Sequence, residues 1–173
     1  MTSARRLRER LATGEVLLVS GAYNALVARI HERAGFEALR KTGGCAAAVA
    51  DLALPDIGWM TQTEMCRPVQ RIAKAVSPSP LWGADAGFEL TNVARTVRDE
   101  RAGATAIQLD DETFPKRCGH REGKKVIPRD ERVRKMRTTL AARADADAVI
   151  IASPRRSPTS SSPTPRARSR RCA

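Results

Sequence analysis

The sequence has few aromatic residues. Two Trp, one Tyr and three Phe make up 3% of 173 residues. Its apolar content is mostly Ala, Val, Leu and Ile, which suits helices packed on buried strands. Long apolar runs are missing too. None approaches the roughly 20 residues that span a bilayer, so no membrane partner is expected. The N-terminal "MTSARRLRER" is basic, but no signal-type apolar stretch follows it, and a cytoplasmic protein is expected. Cys45, Cys66, Cys118 and Cys172 form no CxxC pair. That spacing points to free thiols and suggests neither a zinc site nor a disulfide framework.

What is abundant is positive charge. The formal net charge is +12, yet half of the excess lies in residues 153–173, which hold six Arg and no Asp or Glu. This tail, "SPRRSPTSSSPTPRARSRRCA", cannot bury enough apolar surface to offset its ordering entropy, and it is expected to be disordered. Residues 1–152 are expected to form the folded domain. The tail allows a reading from another class, a basic binding protein that contacts nucleic acid or an acidic partner. It carries no aromatic residue for stacking, and nucleic acid is not the expected partner.

Strand and helix patterns alternate along the body. "EVLLVS" (15–20), 36–42, 80–85, 105–111 and 147–153 read as strands; 22–35, 61–76, 91–103 and 129–144 read as helices. Thr61 and Glu64 have capping-box spacing. Pro68 lies past the first turn of that helix, where it costs about 3 kcal/mol or forces a kink. Arg40 and Lys41 are unwelcome in a buried strand. The alternation predicts a parallel sheet with helices packed on it, and pattern alone leaves an open doubly wound sheet and a closed barrel both available. In either, chemistry collects at the carboxyl ends of the strands. The loop Thr42–Gly44, Asp85, Asp110–Asp111 and the Cys118 loop would share that rim.

"TFPKRCGH" (113–120) is the densest chemical stretch. Lys116, Arg117 and His120 would each favour a Cys118 thiolate. Such a thiol serves as general acid, base or nucleophile; otherwise it is a small buried hydrophobe. Asp56, Asp85, Asp110 and Asp111 offer hard oxygen ligands for Mg²⁺ or, singly, helix caps. "TGGC" (42–45) offers a hydroxyl and closely spaced N–H groups to a carboxylate. His31 reads as solvated surface.

"SGAYNALVARIHERAGFEAL", "LPDIGWMTQTEM", "NVARTVRDERAGATAIQLDDETFPKRCGH" and "GKKVIPRDERVRKMR" together resemble the isocitrate lyase and phosphoenolpyruvate mutase superfamily, in its methylisocitrate lyase-like branch. The likeness runs from about Leu7 to Ala152. It implies a Mg²⁺-dependent (β/α)₈ barrel of about five βα units here, acting on a small carboxylic acid and cleaving a carbon–carbon bond through an enolate. By resemblance Cys118 is the proton donor and Lys116 its catalytic companion. Thr42, Gly43, Gly44, Asp56, Gly119 and His120 bind substrate, and Asp85 and Asp110 hold the metal. Members of the family resemble one another in forming tetramers, often by swapping a C-terminal helix; the likeness ends before such a region, so a homo-oligomer is left open here and is not carried over.

The departures from the family pattern fall at the site. The family loop Asp-Ala-Asp-Thr-Gly-Tyr-Gly stands as "GADAGFE" (83–89), so one carboxylate of the pair is replaced by Gly83, or lost after Asp85 in the alternative register. Asp110 replaces a Glu, and Arg40 occupies an aromatic position. After "VIIA" the family's Arg-Thr-Asp strand end is replaced by Ser153-Pro154, which suggests a change of reading frame after residue 152. Impaired or absent lyase activity is therefore expected.

Overall fold

The computed structural model of the chain describes residues 2–43, 52–98, 103–117, 123 and 125–153. The tail from Pro154 on, with Gly44, Cys45, Cys118, Gly119 and His120, lies outside them. The basic N-terminal segment, not anticipated as an element, forms helix α1 (Ser3–Ala12). Thr2 caps it, its hydroxyl accepting from Arg5 N at 3.2 Å. Strand β1 (Val19–Ala22), helix α2 (Ala25–Arg33), β2 (Ala38–Lys41), α3 (Gln62–Ala75) and β3 (Ser79–Gly83) follow. Helix α4 (Glu89–Arg98), β4 (Ala106–Asp110), α5 (Arg129–Ala142) and β5 (Val149–Ser153) complete the order.

The five strands are parallel and lie in chain order, β1-β2-β3-β4-β5. That order decides between the two architectures the sequence left open. A doubly wound sheet reverses direction at a switch point, and an unreversed order with right-handed crossovers puts every crossover helix on one face. The sheet is the first part of a barrel wall, with β1 and β5 as its edges among the described residues.

The convex face carries the core. Trp82, Ile107 and Leu109 pack under α3 and α4 with Met65, Val69, Val93 and Val97. Leu39 and Ala22 meet Ala28 and Ile72 from α2 and α3. The concave face is apolar only near the amino ends, where Ala38, Leu81 and Ala106 meet Leu7 of α1. Arg8 ties α1 to the β5 approach by donating to the Asp147 carbonyl at 2.7 Å.

Two local expectations change. The first strand begins at Val19, not Glu15. Val16 and Leu18 are exposed, and the register starts where Val19 pairs Ala38, so the apolar run overshoots its pairing partner. His31 is not fully solvated. It is half-buried, with Nδ1 3.0 Å from Ser20 Oγ and its ring tilted against Phe36. Pro68 lies inside α3, which continues past it to Ala75. The burial of Met65, Val69 and Ile72 and the capping box at Thr61 and Glu64 offset the missing donor.

Candidate active site

The strands end in a charged mouth built from β2, β3, β4 and the loops after them. Successive layers of the concave face become more polar towards it. One layer is Gly21, Arg40, Leu81, Ala106 and Val149, and the next includes Gly83, Gln108 and Ile151.

Lys116 is the centre of the described mouth. Its Nζ lies 3.1 Å from Asp56 Oδ2 and 3.0 Å from Asp85 Oδ1. The ammonium is buried, as is Asp56. Burial disfavours the charged amine, but Asp85 and then Asp56 outweigh it, and the pKa ends above the ordinary 10.5. Lys116 is therefore a fixed cation, unsuited to act as a base near neutral pH. Two glycines let these loops close. A Cβ on Gly58 would meet Pro115 Cβ at 2.9 Å, and a Cβ on Gly43 would overlap Asp85 Oδ1. Asp85 itself takes a φ of 50°, a left-handed conformation that Asp tolerates better than most residues. Trp59, Met65, Phe88 and Phe114 form an apolar wall beside the cluster.

Asp110 sits against Asp85 through the backbone, its N–H donating to the Asp85 carbonyl at 2.8 Å. Its own carbonyl accepts from Lys135 Nζ at 2.7 Å. Lys135 is buried, and burial lowers its pKa despite the opposing carboxylates of Asp110, Asp111 and Glu131. Asp111 points elsewhere, to Arg132 at 3.1 Å. Thr42 and Gly43 lie at the mouth: Thr42 Cγ2 would stand 3.2 Å from a Cβ on Gly21. Of the expected site residues, the described structure brings together Asp56, Asp85, Lys116 and Gly43, with Asp110 and Thr42 alongside.

Two residues were not singled out as functional from the sequence. Lys135 reads as one more polar position on a helix with alternating charge. Arg40 reads as a misfit in a strand, and its signal was that misfit. Its guanidinium lies over Gly83, where a Cβ would meet Nη2 at 2.9 Å.

A row of parallel βα units with a lysine and aspartates gathered at the carboxyl ends defines a barrel-type α/β domain with its site at the usual rim. Residues 7–155 match the phosphoenolpyruvate phosphomutase family model, and the chain belongs to that family. It is 43% identical to a 2-methylisocitrate lyase of Aeropyrum pernix, over 81% of this chain and 46% of that protein. It is 37% identical to a 2,3-dimethylmalate lyase of Eubacterium barkeri, over 88% of this chain and 53% of that protein. Among solved structures, a phosphonopyruvate hydrolase complexed with oxalate and Mg²⁺ superposes with a TM-score of 0.80 at 32% identity, covering 89% of this chain and 53% of that one. The chain thus spans about half the length of the curated relatives it matches. No described helix is long and apolar enough to cross a membrane.

Proposed function

We propose that this mouth is the site of a carbon–carbon lyase that acts on a small 2-hydroxy di- or tricarboxylate, with activity well below that of an intact family site. The observation that supports it is Lys116 held between Asp56 and Asp85 beside Gly43, on a chain whose relatives are named lyases of methylisocitrate and dimethylmalate. In this reading the substrate hydroxyl gives its proton to a carboxylate of the mouth, and the adjacent C–C bond breaks as the hydroxyl carbon becomes the carbonyl of a 2-oxo acid. The electron pair stays on the departing fragment as an enolate, and Cys118 protonates that carbon. Lys116 holds negative charge in place without exchanging its proton. Thr42, Gly43 and Gly44 cradle a carboxylate, and Gly119 and His120 complete its binding.

Magnesium enters this reading through the phosphonopyruvate hydrolase neighbour, which was solved with Mg²⁺, and Asp85 and Asp110 would be its ligands. The described residues do not fit the ion. Lys116 holds Asp85 Oδ1 at 3.0 Å, Gly83 supplies no side chain, and the Arg40 guanidinium lies over it. Lys116 thus occupies a carboxylate that the ion would need, and the Arg40 guanidinium puts positive charge where a second carboxylate would have to stand.

The test is release of a 2-oxo acid from methylisocitrate, 2,3-dimethylmalate or isocitrate by the full chain. Slow release is expected, falling at least about a hundredfold with Cys118→Ser, the usual scale for general acid catalysis. No release from any of these acids, or release unchanged in Cys118→Ser, would overturn the assignment.

A further inference from the structure

We infer that Arg40 is the ligand-binding cation of this mouth, and that a small dicarboxylate or 2-oxo acid of the oxalate class binds there without a divalent metal. The inference rests on the carboxylic-acid reading above and says how such an anion is held. The concave side chains of Arg40 in β2 and of Thr42, just after the strand, lean onto glycines on opposite sides. Thr42 lies over Gly21 of β1, and the Arg40 guanidinium lies over Gly83 of β3, so two missing side chains make the room. Gly43 N would stand 3.1 Å from a Cβ on Gly83, which places a backbone donor against the same spot as the guanidinium. Asp85 and Lys116 adjoin Gly43.

The charges of these groups are unevenly matched. Lys116 is neutralised by two carboxylates. Arg40 is half-buried and makes no ion pair among the described residues, and its Nε is buried with no hydrogen-bond partner. Thr42 Oγ1, just past the end of β2, is likewise buried without one. Orphaned polar groups and an unpaired guanidinium are costly away from water. A planar dianion would pair the guanidinium, because the guanidinium fork matches a carboxylate. The same positive charge at this spot disfavours a dication.

Oxalate titrated calorimetrically into the full chain tests this. Equal affinity in EDTA and in excess magnesium is expected. Arg40→Gln should weaken binding by roughly tenfold or more, the value of one charge-assisted pair, while Arg40→Lys keeps part of it. Gly83→Asp should also weaken binding in EDTA, since a carboxylate beneath the guanidinium competes with the ligand. If oxalate binds only with magnesium, or equally well to Arg40→Gln, the inference fails while the lyase reading stands. If oxalate binds under neither condition and no 2-oxo acid is released from any substrate, both fail. The comparison between EDTA and magnesium needs only the unmutated chain, so it decides even where a variant does not fold.

Discussion

The two faces of the sheet follow opposite rules. The convex face is filled by Leu39, Trp82, Ile107 and Leu109, each buried against helices. At the carboxyl ends the concave side has glycines with charged side chains lying over them, Arg40 over Gly83 and Asp85 against Gly43. One face removes side chains from water and the other removes Cβ atoms to make space for charge. Alternation along each strand lets a single segment serve both, since neighbours such as Leu39 and Arg40 point to opposite sides. Stability and binding should therefore separate experimentally by strand parity.

The largest expected effect breaks the convex face. Leu109 is 1% exposed and packed under α4, so Leu109→Ala should cost about 3 kcal/mol in urea denaturation. Its oxalate affinity at low denaturant should stay unchanged. A matching loss of affinity would mean that the two faces are not separable.

Lys116 is where the separation should fail. Its removal leaves Asp56 and Asp85 facing each other without a cation, and Lys116→Met should cost about 3 kcal/mol while also lowering oxalate affinity. Adding Asp56→Asn should restore much of the stability and none of the binding. The pH dependence has a definite sign. A lysine raised above its ordinary 10.5 contributes stability that is fully present below that value and is lost only as pH climbs through the higher folded value. The difference between the unmutated chain and Lys116→Met should therefore be flat from neutral pH to about 10. A slope near neutrality would show that Lys116 releases its proton in the fold.

These residues also show what the sequence can and cannot reveal. The βα alternation and the capping box at Thr61 are local patterns, and both are present in the fold. The sheet order is non-local and came only with the pairing. "EVLLVS" misplaces the first strand because apolar character cannot show where Ala38 begins to pair. Asp56 and Lys116 lie sixty positions apart, and no spacing rule joins them; the family likeness did. Arg40 was legible as an anomaly, but its place over Gly83 depends on the β2–β3 register. Cys118, the most distinctive residue of the sequence, lies outside the described residues, so its role rests on chemistry and kinship.

The smallest expected effect lies at the seam between the two faces, where the loop leaving β3 becomes α4. Phe88 and Glu89 both adopt left-handed backbone, with φ of 56° and 69°. An L-residue with a Cβ pays roughly 1–2 kcal/mol in that region. The family loop that "GADAGFE" resembles ends in Gly, and Glu89 occupies that last place. Glu89→Gly should therefore stabilise the chain by about 1 kcal/mol, with the gain in backbone fit partly offset by the greater freedom of glycine in the unfolded chain. The change lies at the start of a helix whose buried residues are Val93, Thr96 and Val97, so it removes no core contact. Thr96 gives a control: its hydroxyl donates to the Gly87 carbonyl at 3.1 Å and pins the same turn. Thr96→Val should cost about 1 kcal/mol by leaving that carbonyl unpaired. With Thr96→Val present, Glu89→Gly should gain less, since the turn it relaxes is no longer held. Equal gains in both backgrounds, read from urea midpoints, would show that the left-handed strain at Glu89 is relieved locally and is not tied to the turn below the mouth.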